Sequence, residues 1–166
     1  MAKFMARAST DHPRRPDVVE QMVRVLRSLN CLISDVQAIW ASALKLSVPQ
    51  WNILVTIADA DDKGIPVKAV AEALRVNSSF IVHQTRPLED LGFIERTGSS
   101  TDKRVVYLSA TPKARRELAK LAESRAAVSA SIKEELGEAA ALHTIELLKD
   151  LDRCFLRCRL RLQIED

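Results

Sequence analysis

The sequence predicts a mostly α-helical chain with one small β-hairpin, and three observations carry that prediction. Aromatic residues make up 4% of the 166 residues against a hydrophobic share of 47%, and the recurring Ala, Leu, Val, Arg and Glu favour helices over a β-sandwich or barrel. Apolar residues return every three or four positions along most of the chain. Two short apolar-rich runs, Phe93-Ile94-Glu95-Arg96 and Arg104-Val105-Val106-Tyr107-Leu108, flank the polar segment from Thr97 to Asp102, as a hairpin with an exposed tip would. A chain of this length has one real core and little room for two independent enzyme domains.

From the N-terminus, residues 1–16 mix charges with His12, Pro13 and Pro16 and hold no sustained apolar period, so a flexible basic arm is expected there. Asp17 with Glu20 three residues on makes a capping box, after which Val18, Met22, Val25, Leu29, Ile33, Val36, Trp40 and Ala43 trace one long helix ending near Leu44. Pro49 fits a first helical position, so a second helix of about three turns runs through Trp51, Leu54 and Ile57 to the acidic loop from Asp59 to Gly64. Ile65-Pro66-Val67 can form a short edge strand before a third helix, Val67 to Leu74, whose Val70, Ala71 and Leu74 face inward. After the turn Arg75-Val76-Asn77, a fourth helix is capped by Asn77 or Ser78, buries Ile81, Thr85 and Leu88, and stops at Gly92 in the left-handed conformation. Two short helices across so tight a turn form a helix-turn-helix, and the hairpin directly behind them makes it a winged one. Thr111-Pro112 opens a fifth helix that Leu118, Leu121, Val128, Ile132 and Leu136 carry to Gly137. A sixth runs from about Glu138 to Leu162.

The formal charge of +3 is unevenly spread. Residues 1–16 carry all of it, with four basic side chains against one acidic; residues 65–116 add +4, with nine against five, which leaves −4 for the remainder. A basic middle in an otherwise acidic chain suits a polyanion, and a helix with an adjoining wing suits double-stranded DNA, the helix in the major groove and the hairpin over phosphates or the minor groove. At about 100° per residue, Ser79, His83 and Arg86 share the face of the fourth helix opposite Ile81, Thr85 and Leu88. The candidate DNA-contacting residues are therefore Ser78, Ser79, Phe80, His83, Gln84 and Arg86 on the helix, and Arg96, Lys103 and Arg104 on the wing. The competing reading is an ordinary solvated face. The expected organisation is the arm at 1–16, a DNA-binding domain at 47–111, and a helical dimerisation region built from 17–46 and 112–166, because the long terminal helices carry more apolar stripe than a small winged domain covers by itself.

Several segments, in this order, resemble the MarR family of dimeric regulators: Leu46-Ser47-Val48-Pro49-Gln50-Trp51, then Leu88-Glu89-Asp90-Leu91-Gly92-Phe93-Ile94-Glu95-Arg96, then Asp102-Lys103-Arg104 with Leu108 and Thr111-Pro112-Lys113. The likeness extends over about residues 17–160, and it rests on the order and spacing of the pieces. It implies a wing arginine, Arg104, that reaches the minor groove while Asp102 orients it. It also implies a homodimer held by the first, fifth and sixth helices on an inverted-repeat operator, and a small-molecule effector bound between that interface and the DNA-binding lobe. A repressor released by an apolar or aromatic anion, a carboxylate or its coenzyme A thioester, fits this pattern, with Trp40 and Trp51 as candidate pocket residues. Four positions depart from the family. Phe80 and His83 stand where a threonine and an arginine are common, Ala114 replaces a common glycine, and Pro87 removes a backbone donor inside the fourth helix, so a kink is expected between His83 and Pro87.

Other function classes have less support. A Gly-rich phosphate loop, clustered metal-ligand spacing and a nucleophile elbow are all lacking in the sequence, and His12, His83 and His143 are scattered, so neither an enzyme, a metal site nor a cofactor is expected. A helical protein-binding module would account for the amphipathic helices but not for Arg96, Lys103 and Arg104 around one hairpin. No apolar run approaches the ~20 residues of a membrane span and no signal peptide is legible, so the chain is expected to be cytoplasmic, with no membrane partner. The three cysteines, Cys31, Cys154 and Cys158, suit reduced thiols. Within the DNA-binding class, Cys31 on the first helix leaves thiol-based redox sensing as an alternative. Cys154 and Cys158, four apart on one helix, are expected to pack rather than to pair.

Overall fold

In the computed structural model, residues 17–60, 64–98, 102 and 104–163 are described. They form seven helices and three strands in the order α1 (Val18–Ala43), α2 (Val48–Ala58), β1 (Ile65–Pro66), α3 (Val67–Leu74), α4 (Ser78–Asp90), β2 (Ile94–Gly98), β3 (Val106–Ala110), α5 (Pro112–Lys120), α6 (Ala122–Leu136) and α7 (Glu138–Leu162). The chain divides into two units, residues 1–110 and 111–166. The first holds the winged helix-turn-helix preceded by α1; the second holds α5 to α7. No single helix among the described residues is long and apolar enough to cross a membrane.

Two helix starts in the first unit, those of α2 and α4, are closed by a side-chain cap. Ser47 caps α2, taking the Gln50 amide on its hydroxyl while the Gln50 side chain takes the Ser47 amide at 2.9 Å, a complete capping box that places Pro49 in the first turn. Asn77 rather than Ser78 caps α4, its Oδ1 accepting the Phe80 amide at 2.7 Å. Neither α3, which starts behind Pro66, nor α1 has such a cap. Asp17 occupies the N-cap of α1, but the carboxylate takes no backbone N–H; the Asp17 carbonyl accepts from Gln21 at 2.9 Å, and the exposed carboxylate has water as an equally good partner.

Helix ends repeat one motif three times. In α1, Leu46 N–H bonds Ala41 O and Lys45 N–H bonds Ser42 O; in α3, Val76 bonds Ala71 O and Arg75 bonds Glu72 O; in α4, Phe93 bonds Leu88 O and Gly92 bonds Glu89 O. Each pair is a Schellman closure, which needs a left-handed residue after the cap and satisfies two carbonyls the helix would leave open. Gly92 fills that place at φ 68° without steric cost, whereas Lys45 and Arg75 hold φ 58° and 54° with side chains attached. The tight turn between α3 and α4 thus owes its shape to the closure around Arg75, with no glycine to help.

Helices α2, α3 and α4 enclose the core with the sheet. Ile53, Leu54 and Ile57 of α2, Val70 of α3, Ile81 and Leu88 of α4, and Ile94 and Leu108 of the strands are all shielded from solvent. The sheet is antiparallel in the order β1-β3-β2, with Leu108 the register partner of Ile65 on one side and of Arg96 on the other. Pro66 lies in an edge strand, where its missing N–H costs no ladder bond. Gly64, just before β1, holds φ 78°, and a Cβ there would come within 2.8 Å of the Leu108 carbonyl oxygen.

The second unit differs from expectation in one respect. The helix foreseen from Pro112 to Gly137 is interrupted at Leu121, whose N–H reaches Leu118 O at 3.1 Å, three residues back, before Arg125 resumes the four-residue spacing on Leu121 O. Neither glycine nor proline marks the place, and no local residue explains the tightened turn. Thr111 caps α5 through the Ala114 amide at 3.1 Å, and Gly137 at φ 81° separates α6 from α7.

Two substitutions test the backbone account. Lys45→Gly removes a left-handed side-chain cost and should raise unfolding free energy by about 0.5–1 kcal/mol in urea titration. Gly64→Ala combines strain with a clash on the sheet and should lower it by more than about 1 kcal/mol.

Candidate nucleic-acid interface

Burial divides α4 by face. Ile81, Thr85 and Leu88 are buried, while Ser79, His83 and Arg86 are exposed on the opposite side. Ser78 is also exposed, and Phe80 and Gln84 are half-buried at the margins. The Ser79 hydroxyl donates to Asn77 Oδ1 at 2.8 Å, so it belongs to the cap network and offers its lone pairs outward. The helix continues through Pro87 without a break.

In the wing, Asp102 organises the backbone. Its Oδ1 accepts the Arg104 amide at 2.9 Å and its carbonyl accepts the Val105 amide at 2.9 Å, an Asx turn that presents the exposed Arg104 just ahead of β3. Lys103 and the segment 99–101 lie outside the described residues, as does the arm at 1–16.

Arg96 is turned the other way. Its Nη2 donates to Thr85 Oγ1 at 2.5 Å and to Val82 O at 3.3 Å, and its Nε stands 2.8 Å from Glu89 Oε2. The last approach is an ionic contact without an aligned N–H, since Nε makes no hydrogen bond. With its side chain 22% exposed, Arg96 spends its guanidinium on α4. Thr85 in turn donates to Ile81 O at 2.8 Å, which satisfies a hydroxyl buried in an apolar stripe. Sequence reasoning missed this group of Thr85, Glu89 and Arg96: one partner lies on a helix and the other on a strand, at separations that no local spacing rule links.

Trp40 and Trp51 meet with ring centroids 5.9 Å apart and planes tilted by 39°. Trp51 is buried and Trp40 half-buried, so the pair joins α1 to α2. Among the described residues, an open apolar hollow of about 230 Å³ lies elsewhere, lined by Val48, Asn52, Leu74, Val76 and Phe80 among others. Cys31, Cys154 and Cys158 are exposed free thiols. No group of three or more His, Cys, Asp or Glu side chains among the described residues is placed to hold a metal.

Comparison with known proteins agrees with this geometry. Residues 46–106 match the family model described as MarR family. This segment is a MarR-family domain. It comprises α2 through the start of β3, and so includes the helix-turn-helix and most of the wing. No curated protein matches the chain in sequence. Solved structures share its fold: a MarR protein from Peptoclostridium difficile DA00132 superposes with TM-score 0.71 at 17% identity, covering 93% of this chain and 95% of that one. MepR of S. aureus, described in complex with DNA, gives 0.70 at 14%, covering 80% and 96%. FabT of Streptococcus pneumoniae, also described with DNA, gives 0.63 at 22%, covering 82% and 99%. The fold is that of MarR family transcriptional regulators.

Thr85→Val retains shape but removes the acceptor for Arg96 and the donor to Ile81 O. It should cost the MarR-family domain about 1.5–3 kcal/mol in equilibrium unfolding, the range for a hydrogen bond to a charged group.

Proposed function

We propose that this chain is a homodimeric, sequence-specific DNA-binding repressor whose grip on its operator is weakened by a small, largely apolar anion. The observation that carries the reading is the exposed Ser79, His83 and Arg86 face of α4 beside a wing turn that presents Arg104. With α4 in the major groove, Arg86 reaches a base edge or phosphate, while Arg104 meets phosphates or the electronegative minor groove. Ser78, Phe80 and Gln84 border the helix contact, and Lys103 adds charge to the wing. DNA in the MepR and FabT structures supports assigning this surface to duplex DNA.

Dimerisation is supported by apolar surface the chain leaves uncovered. On α1, Val18, Val25, Leu29 and Ile33 are exposed; on α7, Ile145, Leu148 and Phe155 are exposed. Apolar stripes of this kind mark subunit interfaces, and a two-fold dimer fits an inverted repeat with half-sites about 34 Å apart. Residues 17–46 and 112–166 then serve dimerisation, and 47–111 serve DNA binding. Effector release requires a ligand that favours a dimer whose recognition helices no longer match the groove spacing, since equal affinity for both states shifts nothing. Exposure of the Cys31 thiol favours redox control as the second reading.

Three experiments test these assignments. After selection of a binding site from random duplexes, Arg86→Ala should cost about 1–3 kcal/mol and relax preference at one position per half-site. Arg104→Ala should weaken selected and scrambled duplexes alike and reduce the salt dependence by about one counterion per subunit. Parent-like binding of both duplexes by both variants would remove residues 77–104 from the interface. Sedimentation equilibrium should show a dimer at micromolar concentration, and an aromatic carboxylate or its thioester should weaken operator binding. If no such metabolite acts and peroxide abolishes binding, Cys31 takes over the regulatory role.

A further inference from the structure

Proline inside α4 sets a mechanical problem that the rest of the domain must answer. Pro87 has no N–H, so the bond that residue 87 would make to the His83 carbonyl is missing, and the helix is weakened between the exposed His83 and Arg86 and its last turn. The three groups that Arg96 touches lie on both sides of that gap: Val82 O and Thr85 Oγ1 precede Pro87, and Glu89 Oε2 follows it. Positions 82, 85 and 89 share one helical face at spacings of three and four. The guanidinium that spans them is fixed at its other end in the sheet, where Arg96 pairs in register with Leu108.

We propose that Arg96 is a positioning residue that splints the recognition helix across Pro87 and holds it at a fixed angle to the wing, rather than a residue that contacts DNA. One planar cation with several donors in fixed directions is suited to this, whereas a lysine at the same place would reach one partner at a time. The splint links the two DNA-contacting elements, so its loss leaves Arg86 and Arg104 present but out of mutual register. The part of this inference that concerns DNA rests on the proposed function; the mechanical part does not.

Four full-length proteins decide it: the parent, Arg96→Gln, Pro87→Ala and the double variant, with Arg96→Lys as a milder fifth should Arg96→Gln fold poorly. In the free protein, Arg96→Gln should speed hydrogen exchange of amides in the last two turns of α4 about tenfold, the equivalent of one charge-assisted hydrogen bond. Restoring the backbone donor with Pro87→Ala should recover most of that loss, so the two changes couple instead of adding. Arg96→Lys should fall between parent and Arg96→Gln. On duplexes selected with the parent, Arg96→Gln should narrow the preference for selected over scrambled DNA about tenfold while the salt slope stays at the parent value. Parent-like exchange in Arg96→Gln, or an acceleration by Arg96→Gln that is the same with and without the Pro87→Ala change, would overturn the splint. A salt slope reduced by about one counterion per subunit would instead make Arg96 a phosphate contact and overturn its positioning role. If the parent itself shows no preference for any duplex, the DNA reading fails while the exchange data still decide whether Arg96 braces α4.

Discussion

Burial of Ile81, Thr85 and Leu88 along one side of α4 constrains what the opposite side can do. These side chains are enclosed among α2, α3 and β2, in a core whose other members include Ile53, Leu54, Ile57, Val70, Ile94 and Leu108. A helix held this way cannot roll: rotation by one residue would expose Leu88 and bury Arg86, losing roughly 2 kcal/mol of apolar burial and adding the cost of burying a cation. Ser79, His83 and Arg86 therefore face solvent as a consequence of packing. The same constraint reaches the wing through Thr85, the one polar member of the stripe, which receives Arg96 from β2.

Where a pattern lies on one element, the sequence shows it. The periods of α1 to α4 and of α7, the cap at Asn77, the stop at Gly92 and the edge position of Ile65-Pro66 all follow from neighbours within a few residues of each other. The outward face of α4 follows from the same arithmetic. The capping box at Ser47 and Gln50 was legible in the same way, as a serine with a glutamine three positions on, although Pro49 was the more conspicuous marker. Asp17 and Glu20 carry a similar spacing without forming a box.

What escaped reading depends on contacts across elements or on backbone states that composition does not announce. Arg96 looks like a wing cation in sequence; only the approach of β2 to α4 shows that Thr85 and Val82 take its donors while Glu89 meets its charge. Arg75 and Lys45 occupy left-handed positions that favour glycine, so no breaker residue flags them. The family likeness links Asp102 to Arg104 without naming atoms; in the structure Asp102 Oδ1 accepts the Arg104 backbone amide, which shapes the turn. The tightened turn at Leu121 has no sequence mark at all.

The proposed function divides the labour, giving assembly to the long helices, where apolar residues of α1 and α7 are exposed, and nucleic-acid contact to α4 and the wing. The most direct test of that division is amide chemical-shift mapping of the isotopically labelled full-length protein titrated with a duplex recovered by selection. The account predicts shifts concentrated at residues 77–86 and around Arg104, with residues 138–162 of α7 unperturbed beyond small, distributed changes. Perturbation centred on α7, or none at residues 77–104 under conditions where the duplex is bound, would contradict it.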